Sequence, residues 1–310
     1  MTSLLGRDLL RVEDLNQDEI YYLISRSIEL KRSPLKAGRP LEGRSIALIF
    51  HKPSMRTRVS FEAAAAALGA HPIFLRSDEV GFGEREPAKD VARVLSRYVV
   101  AIVIRTFDQS LVEEFAENAS VPVINALTDE EHPCQAIADL MTILEKKNRI
   151  AGIRLAFVGD GRNNVARSLI ASGAIAGMKI SVASPRGYEP EAADLERAKS
   201  LFRGIGDAVK VCGSPEEAVE RADVVYTDVW VSMGQEKDRA EKVRAFAGFQ
   251  VNSALMGRAK DNAIVMHCLP THRGEEITDE VLESSRSVVF DQAENRLHTA
   301  KAILLSLVGE

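Results

Sequence analysis

Short runs of β-branched and apolar residues alternate along this chain with stretches of helical periodicity, and that alternation limits the fold more than any other feature. Ser45 to Phe50, Pro72 to Leu75, Val99 to Ile104 and Val121 to Ile124 read as strands. Thr57 to Leu68, Pro87 to Arg97 and Ser110 to Asn118, lying between them, read as helices. Strand, helix and strand in repetition make βαβ units, which predict a parallel sheet covered by helices. Pro133 to Lys147 is a further helix, because Ala136, Ile137, Leu140, Met141 and Leu144 fall on one apolar face. A second series follows, with strands at Arg154 to Val158, Lys179 to Ala183, Val224 to Thr227, Ile264 to His267 and Ser287 to Phe290. The chain closes with a helix from about Gln292 to Leu307. At 310 residues the chain exceeds what one core usually serves. The expected fold is α/β, with two domains that each carry a central parallel sheet flanked by helices. Their boundary is expected near Asn148 to Gly152, and periodicity does not decide where the final helix packs.

Composition narrows the function by exclusion. The formal net charge of −5 argues against a nucleic-acid or anionic-membrane partner, both of which select positive surfaces. Small anions are not excluded, since local basic residues bind them. No apolar run approaches the roughly 20 residues of a membrane-spanning helix. Arg7 and Asp8 interrupt the stretch where a signal peptide needs apolar residues. Three cysteines, Cys134, Cys212 and Cys268, are too few and too odd for a disulfide framework. Cytoplasm is the expected compartment.

The segment Ser54-Met55-Arg56-Thr57-Arg58 stands at a strand-to-helix turn. Such a turn presents free backbone N–H groups and the positive end of the helix dipole. Two hydroxyls and two arginines within it add charge-assisted donors suited to a phosphoryl dianion. The plainer alternative is a capped helix with solvated arginines. Against it, each arginine there works against the dipole by a few tenths to about 1 kcal/mol. No Walker-type glycine pattern accompanies the segment, so ATP hydrolysis is not indicated.

Other segments also stand at strand ends, the edge where open α/β sheets bind ligands. Arg105 follows one strand, and His132-Pro133-Cys134-Gln135 follows the next and opens a helix. Asp228-Val229-Trp230-Val231-Ser232-Met233-Gly234 combines an acid able to hold an ammonium group with a Gly-containing loop able to close over a ligand. Capping by Asp and Ser is the alternative reading there. Gly159-Asp160-Gly161 before a helix suggests a dinucleotide site, but Asn164 replaces the third glycine and no acid closes the next strand, which argues against NAD. His267-Cys268-Leu269-Pro270 could join His132 and Cys134 in a zinc set, but short-range ligand pairs are missing. Cys268 offers a covalent nucleophile, but thiols at strand ends are more often buried hydrophobes. Arg296 in Ala293-Glu294-Asn295-Arg296 reads as a ligand contact or a surface residue.

In combination these segments resemble the carbamoyltransferase family, and among its members those that use ornithine. The resemblance runs over essentially the whole chain. It rests on five motifs in the family's order: Ser-x-Arg-Thr-Arg, His-Pro-x-Gln, Asp-x-Trp-x-Ser-Met-Gly, His-Cys-Leu-Pro and Ala-Glu-Asn-Arg.

The resemblance implies that Ser54, Met55 through its backbone, Arg56 and Thr57 cradle the phosphate of carbamoyl phosphate. Arg105, His132 and Gln135, with Pro133 and Cys134 in the same motif, would hold the carbamoyl end, completed by Cys268, Leu269 and Arg296. Asn164, Asp228, Ser232 and Met233 would bind L-ornithine. It further implies a carbamoyl-phosphate domain over residues 1–147, an ornithine domain over 148–291, the final helix of about 292–310 packed back on the first, and an active site in the interdomain cleft. Neither metal nor organic cofactor is implied, and homotrimers, sometimes stacked into dodecamers, are. Two departures matter. Met55 removes a hydroxyl but keeps a backbone N–H. Gly81 stands where relatives often place Gln or His against a neighbouring subunit, leaving Arg85 or a backbone amide as its substitute.

Overall fold

A computed structural model describes residues 4–34, 38–76, 81, 86–232, 234 and 236–309. Two compact units divide the chain: Met1–Met141 with Glu294–Glu310, and Thr142–Ala293.

The first unit holds a parallel sheet of β1 (Ser45–Phe50), β2 (His71–Arg76), β3 (Ala101–Arg105) and β4 (Val123–Leu127), in the order β2-β1-β3-β4. β3 and β4 are buried throughout, and β1 from its second residue on. Continuous Ile, Val, Ala and Leu, rather than alternation, is what helices on both faces of a parallel sheet require. Each fully buried Ile or Val contributes about 1.5–3 kcal/mol. The register sets Phe50 beside both Arg76 and Arg105, so these strands end level. The chain reverses its direction of travel across the sheet between β1 and β3. In open α/β sheets such a switch point, at the carboxyl ends of the strands, is where ligands bind. The sequence reading assigns no element before Ser45, yet a helix spans Gln17–Arg32. Its signal was local: Asn16 accepts from Glu19 N while the Glu19 carboxylate accepts from Asn16 N, a capping box.

The second unit holds β5 (Arg154–Val158), β6 (Lys179–Ala183), β7 (Val209–Cys212), β8 (Val224–Thr227) and β9 (Ile264–Met266), all parallel, in the order β7-β6-β5-β8-β9. Its switch point lies between β5 and β8. Two expectations need correction. Ser287 to Phe290 is not a strand: Ser287 makes an isolated bridge to Val265, and a helix runs from Val289 to Val308. Val288, Val289 and Phe290 form a brief β-branched and aromatic run that imitates a strand, but it opens a helix instead. The fifth strand is instead β7, which the sequence reading passes over. Its Lys210 and Val211 are exposed, as befits an edge, and at four residues it is too short to stand out by periodicity. Among the described residues no helix is long and apolar enough to cross a membrane.

Candidate active site

Ser54 caps the helix Met55–Ala67, its Oγ accepting from Thr57 N at 3.3 Å and donating to Thr57 Oγ1 at 3.1 Å. Arg56 is half-buried on the first turn, which holds no acidic residue to neutralise the dipole. The turn follows β1 directly, and so lies at the switch point. Arg58 does not contribute to it. Its Nε donates to Glu62 at 2.9 Å and its guanidinium lies over the Phe74 ring. Met55 is exposed, so its side chain adds no polar group and only its N–H is available to an anion.

Arg105 ends β3 as a buried cation. His132, Pro133, Cys134 and Gln135 are all buried where the helix Pro133–Lys147 begins. The turn that carries them is held by a buried polar network. Gln109 Oε1 accepts from Thr128 Oγ1 at 2.7 Å and Asn125 Nδ2 at 3.2 Å, while Thr128 Oγ1 accepts from Glu131 N at 3.0 Å. Arg296, on the Val289–Val308 helix, donates through Nη1 to Gln135 Oε1 and, at 3.4 Å, to His132 Nε2. An arginine only donates, so His132 Nε2 is the acceptor and the ring is neutral. Burial, followed by the charges of Arg296 and Arg105, pulls the His132 pKa well below its ordinary value. Gln135 Nε2 donates to Asp139 at 2.8 Å, which fixes its carbonyl toward Arg296. The Cys134 thiol donates to Asn125 O, and burial pushes its pKa to about 12. It is a packed thiol without nucleophilic character. Gly81 has φ +65°, and Arg85 lies outside the described residues.

In the second unit Asp228 follows β8 at the switch point and is buried. Its Oδ1 accepts from Val229 N at 2.8 Å and the Cys268 thiol at 3.2 Å, and its Oδ2 accepts from Asn163 Nδ2 at 3.2 Å. Burial nevertheless raises its pKa. Asn164 is the first residue of the helix Asn164–Ile175, and Asn163 is its cap, accepting from Ala166 N at 2.7 Å. The sequence reading missed Asn163, which the rule for helix caps could have found. Ser232 is half-buried; Met233 lies outside the described residues. Leu269 has φ +58°, a costly conformation for a non-glycine residue, held by its N–H donating to His267 Nδ1 at 2.9 Å. With Nδ1 accepting, His267 donates through Nε2 to Glu276 Oε1 at 3.1 Å. His267 therefore orients the Cys268–Leu269 turn, a role its sequence position alone did not reveal.

The glycine turn after β5 has its own explanation. Gly161 N donates to Tyr188 O at 2.9 Å and Ser184 Oγ at 3.1 Å, and a Cβ there would lie 2.6 Å from Pro190 Cδ. The glycine permits close packing, and its amide is already engaged within the protein.

Residues 7–145 match the family described as aspartate/ornithine carbamoyltransferase, carbamoyl-P binding domain, and residues 151–307 match its Asp/Orn binding domain. An ornithine carbamoyltransferase of Anoxybacillus flavithermus is 50% identical over 308 residues, covering 99% of this chain and 98% of its own. One from Acidothermus cellulolyticus is 53% identical, covering 97% and 96% respectively. The solved structure of ornithine carbamoyltransferase from Pyrococcus furiosus matches with a TM-score of 0.95 at 48% identity, over 99% of both chains.

Proposed function

The chain belongs to the aspartate/ornithine carbamoyltransferase family, and from that premise we propose that it transfers the carbamoyl group of carbamoyl phosphate to the δ-amino group of L-ornithine, giving L-citrulline and phosphate. The observation that carries the choice of acceptor is Asp228, a buried carboxylate at the β5/β8 switch point. An aspartate acceptor calls for cations there to receive its extra carboxylate. Ornithine brings an ammonium group, which Asp228 suits.

Ser54, the Met55 amide, Arg56 and Thr57 bind the phosphate. Arg105, His132, Gln135 and Arg296 hold the carbamoyl end, with Cys268 and Leu269 assigned to the same ligand. Asn164, Asp228, Ser232 and Met233 bind ornithine. The δ-amine attacks the carbonyl carbon as the free base. With an ordinary pKa of about 10.4, deprotonation at pH 7 costs roughly 4–5 kcal/mol. Arg56, Arg105 and Arg296 disfavour a further cation and so lower that cost. The same arginines stabilise the tetrahedral oxyanion and the leaving phosphate, where one well-placed donor contributes about 3 kcal/mol. The C–O bond to phosphate breaks, and the departing phosphate oxygen accepts the proton released by the amine, leaving as hydrogen phosphate. Neutral His132 donates through Nδ1 rather than adding charge.

The exposed face of the Met55–Ala67 helix supports self-association. Met55 and Val59 are 67% and 53% exposed, and Ala63 and Ala66 continue the same stripe at helical spacing. A helix apolar on both faces belongs between two packed surfaces. A homotrimer, with stacking into dodecamers as its extension, is the assembly proposed, and cytoplasm its compartment.

One assay tests the reading. The enzyme is given carbamoyl phosphate with ornithine, N-acetylornithine, putrescine or aspartate in turn. Ureido product is expected with ornithine, and its absence with all four acceptors overturns the assignment.

A further inference from the structure

Outside the groups assigned to transfer, His272, Glu275 and Glu276 each bring one ligand atom within 4.8 Å of the others. Glu276 is 0% exposed. Its Oε1 accepts from His272 N at 2.7 Å and from His267 Nε2 at 3.1 Å, while its Oε2 is buried with no donor. Arg239 takes Oε1 of Glu275 and leaves its Oε2 buried and unbonded. His272 Nδ1 is likewise buried without a hydrogen bond, 3.7 Å from the nearer Glu275 oxygen.

Leaving a buried carboxylate oxygen without a donor costs about 1–3 kcal/mol, and here two of them accompany an unbonded imidazole nitrogen. A proton shared between His272 and Glu275 does not resolve this, since 3.7 Å is too long for a hydrogen bond. It is close to the edge of a tetrahedron of ligands about 2.1 Å from a zinc ion, roughly 3.4 Å. One imidazole and two carboxylates suit a divalent ion of that kind. His272 is 40% exposed, which leaves solvent access for the remaining ligand.

We propose that His272, Glu275 and Glu276 form a binding site for a divalent transition-metal ion of the zinc class. The ion braces the turn and takes no part in the transfer. Through Glu276 it steadies the His267 ring, and through that ring the Leu269 amide.

Zinc binding is measured by equilibrium dialysis with elemental analysis in a Cys268→Ser background, which removes the thiol that could take zinc elsewhere. His272→Ala is added to it. That substitution keeps the backbone N–H that donates to Glu276, so the turn retains its anchor. Cys268→Ser is expected to bind about one zinc per chain with a raised Tm, and the added His272→Ala to weaken binding by at least about tenfold and abolish the Tm rise. No binding in Cys268→Ser, or unchanged affinity with His272→Ala, overturns the proposal.

Discussion

The Cys268 thiol donates to Asp228 Oδ1 at 3.2 Å, so two groups that the sequence reading assigns to different substrates are hydrogen-bonded to each other. The carboxylate needs that donor because burial, the largest influence on it, raises its pKa, and the hydrogen bonds from Cys268 and the Val229 amide oppose the rise. Cys268→Ser keeps a donor in place. It is expected to retain activity within about tenfold, with no thiol adduct in the wild type by mass spectrometry. A trapped adduct would make the thiol covalent and reverse this reading.

The raised pKa of Asp228 also predicts a pH dependence. A folded-state pKa above the unfolded one means that the protonated acid favours the fold. That contribution is complete below the unfolded value and is lost as pH rises through the folded value. In its proposed role toward ornithine, Asp228 must be ionised. Its KM should therefore rise about tenfold per pH unit below the raised pKa, where an ordinary carboxylate would still be charged. Asp228→Asn is expected to weaken ornithine on the order of 100-fold and flatten the profile, leaving KM for carbamoyl phosphate near the wild-type value. Parallel profiles for ornithine in the two proteins would remove Asp228 from its site.

His132 titrates in the opposite sense. Burial, then Arg296 and Arg105, lower its pKa, so its neutral form favours the fold. Stability from this group is full above the unfolded value of about 6.5 and is lost as pH falls toward the folded value. Calorimetric Tm should decline on acidification below about pH 6.5, with up to about 1.4 kcal/mol lost per pH unit from this proton. His132→Gln should reduce that slope. Tm curves of equal slope would show that His132 is not held neutral.

Much of this was legible in the sequence because strand ends carry the chemistry. β1, β5, β6 and β8 have the expected bounds, and Ser54, Arg105 and Asp228 all fall at carboxyl ends beside switch points. The edge strand β7 and the bridge at Ser287 were not legible, since a short half-exposed strand and a brief apolar run before a helix look alike without their neighbours. Nor were the positioning groups. His267, Gln109 and Glu276 act through partners nine to nineteen residues away, which local periodicity does not encode, and Asn163 was legible only as a helix cap.

The exposed stripe of Met55, Val59, Ala63 and Ala66 gives a test of the proposed assembly. Val59→Glu puts a charge at its centre, where desolvation in an interface costs several kcal/mol. Light scattering after gel filtration should fall from the mass of the assembly to that of one chain. Helicity should be unchanged, because Val59 points away from its own core. An assembly that survives Val59→Glu places the interface elsewhere.

Lys242 Nζ donates to Asp160 Oδ2 at 2.8 Å, and both side chains are buried. Asp160 lies in the turn after β5 and also accepts from Arg162 N at 3.0 Å; Lys242 lies on the helix Arg239–Ala245. The pair therefore ties the Arg239–Ala245 helix to the turn that leads into Asn163 and Asn164. Lys242→Met leaves a buried carboxylate uncompensated and should cost about 3–5 kcal/mol in urea denaturation. Adding Asp160→Asn removes the charge but keeps an acceptor for Arg162 N, so most of that stability should return. The tether stays broken in the double variant, and KM for ornithine should remain about tenfold high while KM for carbamoyl phosphate stays normal. Recovery of the ornithine KM along with stability would confine the pair to holding the fold.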